Sequence, residues 1–152
     1  MDSIDRKILS LLQRDADVSV TDIASQVGLS TTPCWRRIQR LEERGVITRR
    51  VALLDRAQLN LGVDVFVAVK TAEHDATWLA TFAQAVTAFD EVVELYRMSG
   101  EIDYLMRVVV RDIAAYDDFY QRLIRKVRLS DVSSSFAMER LKYTTALPLG
   151  AG

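Results

Sequence analysis

A chain of 152 residues, 49% apolar and 27% charged, has the makeup of a globular protein of one ordinary domain or two small ones. A net charge of −1 argues neither for nor against a polyanionic partner, and a single cysteine excludes both a disulfide within the chain and a cysteine-based zinc site. No apolar run approaches the roughly 20 residues of a membrane span, and the acidic start Met1-Asp2-Ser3-Ile4-Asp5 leads into no secretory h-region, so a cytoplasmic protein without a membrane partner is expected.

The charge is unevenly spread: residues 1–50 hold nine Lys/Arg against seven Asp/Glu, and residues 34–50 hold six Arg against two Glu. In that half, Ile4, Ile8, Leu11 and Leu12 fall at helical spacing and predict an amphipathic helix over 3–14, broken by Asp15-Ala16-Asp17. Ser19 is a cap for a second short helix, with Ile23, Ala24 and Val27 inward and Gly28 at its end. Only Leu29 then separates Gly28 from Ser30, the expected cap of a third helix that ends at Gly45 and carries Pro33 in its first turn.

At about 100° per residue, Cys34, Ile38 and Leu41 form a narrow apolar seam, and Arg36, Arg37, Arg40 and Arg44 share the opposite side. The expectation is four guanidiniums pointing away from the body, although Glu42 and Glu43 nearby also suit an ordinary solvated face. A short helix, a tight glycine-containing turn and an arginine-faced helix are the helix-turn-helix signature, in which the second helix enters the major groove of double-stranded DNA. This places Thr31, Thr32, Arg36, Arg37 and Arg40 at the groove, with Ser30, Arg49 and Arg50 nearer the phosphate backbone. Val46–Leu54 then reads as a strand serving as wing or hinge, and Asp55–Gly62 as a linker.

The second half changes period. Val63, Val65, Val67 and Val69 alternate as a buried strand; Asp75 caps a helix bearing Trp78, Leu79, Phe82 and Val86; 92–97 and 104–111 are strands around a turn at 99–103. Asp112 caps a helix with Tyr116, Phe119, Tyr120, Leu123, Ile124 and Val127 at core spacing, and Ser133–Tyr143 is the last strand. The order β-α-β-β-α-β is the ferredoxin-like pattern. The fold class is therefore α+β: a winged helix-turn-helix over 1–50, a hinge strand and linker over 51–62, and a ferredoxin-like domain over 63–152. Strands apolar on both sides predict self-association through the sheet face left open by the helices.

Asp5-Arg6-Lys7-Ile8-Leu9, Val27-Gly28-Leu29-Ser30, Thr32-Pro33-Cys34-Trp35-Arg36-Arg37-Ile38, Gly45-Val46-Ile47 and Ser99-Gly100 through Asp103-Tyr104-Leu105 resemble the Lrp/AsnC, or feast/famine, transcription regulators over about residues 2–143. The resemblance implies a homodimer that often assembles further, commonly into octamers, and a small effector, usually an amino acid, bound between dimers. It assigns effector contacts to Ser99, Gly100, Asp103, Tyr104 and Ser134. An α-ammonium would pair with Asp103, and turn amides and the Ser134 hydroxyl would serve an α-carboxylate. The chain departs from the family's pattern at Glu101-Ile102 and at Arg128-Leu129-Ser130, which stands where a Pro-Gly turn is usual.

No enzyme signature emerges. His74 is the single histidine, in a polar Glu73-His74-Asp75 loop, and reads as solvated rather than catalytic or metal-binding. No phosphate-binding glycine loop is present, no cofactor is implied, and the serines at 133–135 lack a neighbouring base. A haem-pathway decarboxylase of related architecture would need more histidines. A nucleoid-type protein that binds DNA without an effector is the other alternative.

Overall fold

The computed structural model describes residues 1–72 and 75–150, so Glu73 and His74 lie outside the described residues. The chain forms two compact units: Met1–Leu53 together with the chain from Lys142 onward, and Leu54–Leu141. The last residues thus belong with the first unit rather than with the ferredoxin-like domain.

The first unit holds α1 (Ser3–Leu12), α2 (Val20–Val27) and α3 (Thr31–Glu43). Ile8, Leu9, Ile23, Ala24, Cys34, Ile38 and Leu41 are buried together at its centre. Ser19 caps α2 by accepting from the Asp22 amide, and Gly28 and Gly45 adopt left-handed φ of 74° and 68°, ending α2 and following the last turn of α3. Two details differ from expectation. Ser30 occupies the N-cap of α3 but its side chain makes no capping bond. Asp2, not singled out by its sequence, forms a capping box on α1 with Asp5.

The second unit is one four-stranded sheet of β1 (Val63–Lys70), β2 (Val92–Arg97), β3 (Tyr104–Val110) and β4 (Asp131–Phe136), in the order β2-β3-β1-β4 with every pairing antiparallel. Helices α4 (Ala76–Thr87) and α5 (Ile113–Lys126), capped by Asp75 and Asp112 as expected, follow β1 and β3. This is the ferredoxin-like arrangement. Val65, Val67, Val69, Met106 and Val108 meet Phe82, Val86, Phe119 and Leu123 in one core. Ile124, assigned to the core side of α5, is instead 41% exposed, because it lies at the margin of that helix's apolar stripe.

Two expected strands change. Residues 46–54 form no strand: the Val46 and Ile47 amides donate to the Leu41 carbonyl at the end of α3, and Val51, Leu53 and Leu54 are exposed. The last strand begins at Asp131 and stops at Phe136 instead of running to Tyr143. Phe136 sits opposite Val65 and the Ala137 amide donates to the Asp64 carbonyl; β1 itself begins at Val63, so the later residues run past the end of their partner strand.

Candidate nucleic-acid interface and effector turn

The recognition helix α3 is seated by Cys34, Ile38 and Leu41, each at most 2% exposed. Burial pushes the Cys34 thiol up, although Arg37 nearby acts in the opposite sense, so this cysteine is an unreactive core group. Thr31 and Thr32 at the start of α3, and Arg36, Arg40 and Arg44 along it, are exposed. The first turn of α3 carries no acidic residue, whereas α1 and α2 have Asp5 and Asp22 there. With the Ser30 hydroxyl also disengaged, the positive end of the α3 dipole faces outward uncompensated.

Arg37 departs from the expected outward set. Its Nη1 donates to Asp2 Oδ2 and Asp5 Oδ1, both at 2.7 Å, and its side chain is only 27% exposed. The reason is angular: of the four arginines it lies closest to the apolar seam, within reach of the first turn of α1. The Asp5 amide, and then Arg37, hold the Asp2 carboxyl below the usual range. Arg37 therefore ties α3 to α1. Arg50 is also engaged, donating to Glu42 at 2.9 Å, while Arg49 is exposed. Trp35 is 50% exposed on the same helix; an aromatic on a polar flank is a signal that the arginine spacing does not carry.

The 99–103 turn is closed by the Met98 amide donating to the Asp103 carbonyl at 2.8 Å. Gly100 has φ +116° with open space around it, a conformation that side-chain-bearing residues avoid. Asp103 already has structural work: its Oδ2 accepts from the Thr71 amide at 2.8 Å, and its own amide donates to Val69. Ser99 is exposed at the rim, but Tyr104 turns into the core, its ring centroid 4.7 Å from Phe82 and 6.0 Å from Trp78.

Ser134 lies elsewhere. It pairs with Val67, whereas Tyr104 pairs with Val69 from the other side. Two strand spacings across and two residues along separate it from Tyr104 by roughly 12 Å. Its hydroxyl bonds the Tyr116 hydroxyl, and Tyr116 packs edge-on against Phe136 with centroids 5.1 Å apart. Burial raises the Tyr116 pKa, offset in part by the bond to Ser134. One protomer thus does not bring Ser134 and the glycine turn into one pocket. A cleft of about 440 Å³ lies elsewhere, where Arg122 and Lys126 stand over the Phe89 ring. Among the described residues, no group of three or more His, Cys, Asp or Glu could hold a metal ion, and no helix is long and apolar enough to cross a membrane.

A helix-turn-helix with an exposed arginine helix, joined in one chain to a ferredoxin-like domain, defines a DNA-binding regulator with a separate sensory domain. Residues 1–48 match the winged helix-turn-helix DNA-binding family, and residues 64–147 match the Lrp/AsnC ligand binding domain. The chain is 51% identical over 150 residues to the DNA-binding transcriptional activator DecR of Escherichia coli K12, covering 98% of this chain and 99% of that one. An AsnC family transcriptional regulator from Agrobacterium tumefaciens superposes with a TM-score of 0.96 at 62% identity, covering 98% and 97% of the two chains. A Neisseria meningitidis transcriptional regulator in complex with L-Met superposes at 0.93 with 33% identity, again covering 98% and 97%. The chain belongs to the Lrp/AsnC family, and it is a DNA-binding transcription regulator with a ligand-binding domain.

Proposed function

We propose that this regulator reads DNA through Thr31, Thr32, Arg36 and Arg40, with Ser30 and Arg49 on phosphate, and that an amino acid bound between copies modulates its assembly or affinity. The observation that carries the reading is the exposure of Arg36 and Arg40 on a helix whose other side is fully seated. A guanidinium presents a planar pair of donors that fits a guanine edge or a phosphate. The uncapped start of α3 suits a phosphate oxygen. Arg37 acts as the anchor that sets the helix angle, and Arg50, held by Glu42, backs the same surface.

Self-association uses the sheet face opposite the helices, where Phe66 is 40% exposed beside Ala68, Leu105 and Val109. A two-fold dimer would present two recognition helices to a two-fold site. The separation of Ser134 from Gly100 within one protomer supports an effector site completed by a second copy. There Ser99, Gly100 and Asp103 supply polar contacts, Tyr104 backs the turn from the core, and Ser134 enters with Tyr116. The work of such a protein is cytoplasmic and non-enzymatic.

The test is selection of duplexes from a random library, followed by titration with and without each of the twenty amino acids. A selected duplex bound no better than random sequence removes the sequence-reading role. Unchanged DNA affinity, thermal stability and assembly size with every amino acid removes the effector.

A further inference from the structure

Leu147-Pro148-Leu149-Gly150 lies against α1 through a built set of contacts. The Gln13 side-chain amide pairs with the backbone of Leu147 in both directions: Nε2 donates to its carbonyl at 3.1 Å, and Oε1 accepts from its amide at 2.8 Å. Arg6 Nη1 donates to the Leu149 carbonyl at 2.6 Å, and the Leu149 side chain packs against the head's core. Pro148 favours extended backbone at the residue before it, the form in which Leu147 can offer both groups to one amide. Leu147 itself is 69% exposed, so it is gripped by its backbone, and Leu149 is the side chain that is read.

The grip falls on a sensitive part of the head. Arg6 follows Asp5, and the same first turn of α1 holds Arg37 of the recognition helix through Asp2 and Asp5. One helical turn therefore joins the C-terminal segment to α3, while Arg36 and Arg40 remain exposed. From Ala137 to Ala146 the connecting chain forms no helix or strand, and residues 137–145 are all exposed, with Met138 at 96% and Leu141 at 87%, so little buried surface resists its detachment.

We propose that residues Leu147–Gly150 form a detachable clip on α1 that holds the recognition helix in its DNA-competent setting, so that release of the clip lowers DNA affinity. The full-length variants Leu149→Ala and Gln13→Leu each loosen it, the second without touching the core, and Leu147→Ala is the control, since only its backbone is gripped. The readouts are affinity for a duplex selected by the wild-type protein and amide exchange over 3–12 compared with the sheet. The expected result is an affinity loss of about fivefold or more in both loosening variants, with faster exchange over 3–12, unchanged exchange in the sheet, and Leu147→Ala behaving as wild type. Affinity within about twofold of wild type in both variants would overturn the clip. So would equal loss of protection in head and sheet, which would make the segment a general stabiliser.

Discussion

Arg36 and Arg37 are neighbours in sequence with different surroundings, and exchanging each for alanine tests whether one contacts DNA while the other serves as a structural tie. Arg36 is exposed, whereas Arg37 stands 2.7 Å from two carboxylates. If Arg36 sits on a phosphate, Arg36→Ala lowers the slope of log affinity against log salt by about 0.9. A fourfold rise in salt would then weaken the variant about threefold less than it weakens wild type. If Arg36 reads a base, the loss is about 1–3 kcal/mol, concentrated on the selected sequence. Arg37 already donates to two carboxylates, so its removal takes away no direct phosphate contact and instead frees α1 from α3. Arg37→Ala should lower affinity with a smaller change in slope, and Asp5→Asn, which keeps the arginine but weakens the tie, should move affinity the same way. Fluorescence anisotropy across a salt series with a labelled selected duplex measures all three. A larger slope change for Arg37→Ala than for Arg36→Ala would refute the division of roles.

Further predictions concern both units. Ile38→Ala removes three buried carbons from the α3 seat and should cost about 3 kcal/mol, read from denaturant melts followed by Trp35 emission in a Trp78→Phe background; a loss below about 1 kcal/mol would mean that the seam does not hold the helix. Burial would raise the Asp64 carboxyl, but bonds from Arg56 at 2.5 Å and Arg107 at 3.0 Å prevail and hold it below the usual range. Its stabilising contribution is complete above the unfolded value of about 3.9 and is lost as pH falls through the lower folded value. Asp64→Asn should therefore cost about 3 kcal/mol at neutral pH and flatten the acid limb of the stability profile of the sheet domain. Gly100→Ala should destabilise by about 1 kcal/mol through backbone strain alone, since no atom lies within 4 Å of the added carbon; an unchanged melting temperature would show that the turn relaxes freely.

Much of the architecture was legible from local chemistry. Ser19, Asp75 and Asp112 announced helix starts, because a short polar side chain before an apolar period can satisfy free amides. The alternation of Val63–Val69 disclosed a strand with one side in a core, and the Cys34-Ile38-Leu41 seam disclosed the seated side of α3. Strands that need a partner were harder. Residues 46–54 have strand composition but no ladder among the described residues, and β4 stops at Phe136 because its register carries it past the start of β1. The sites split in the same way. The turn and its left-handed glycine could be read locally, whereas the 12 Å between Ser134 and that turn, roughly, follows from strand order.

The amino-acid order by itself determined which residues form helices, where those helices begin, and that arginines crowd one side of the third, since spacing and capping act within a few residues. Only the tertiary structure decided which arginine is consumed: Arg37 is bound by Asp2 and Asp5, some thirty residues away, while Arg36 beside it is left exposed. It likewise decided that the C-terminal leucines belong to the head. A charge pair or a docked tail depends on distances between segments remote along the chain, and those distances exist only once the helices are packed.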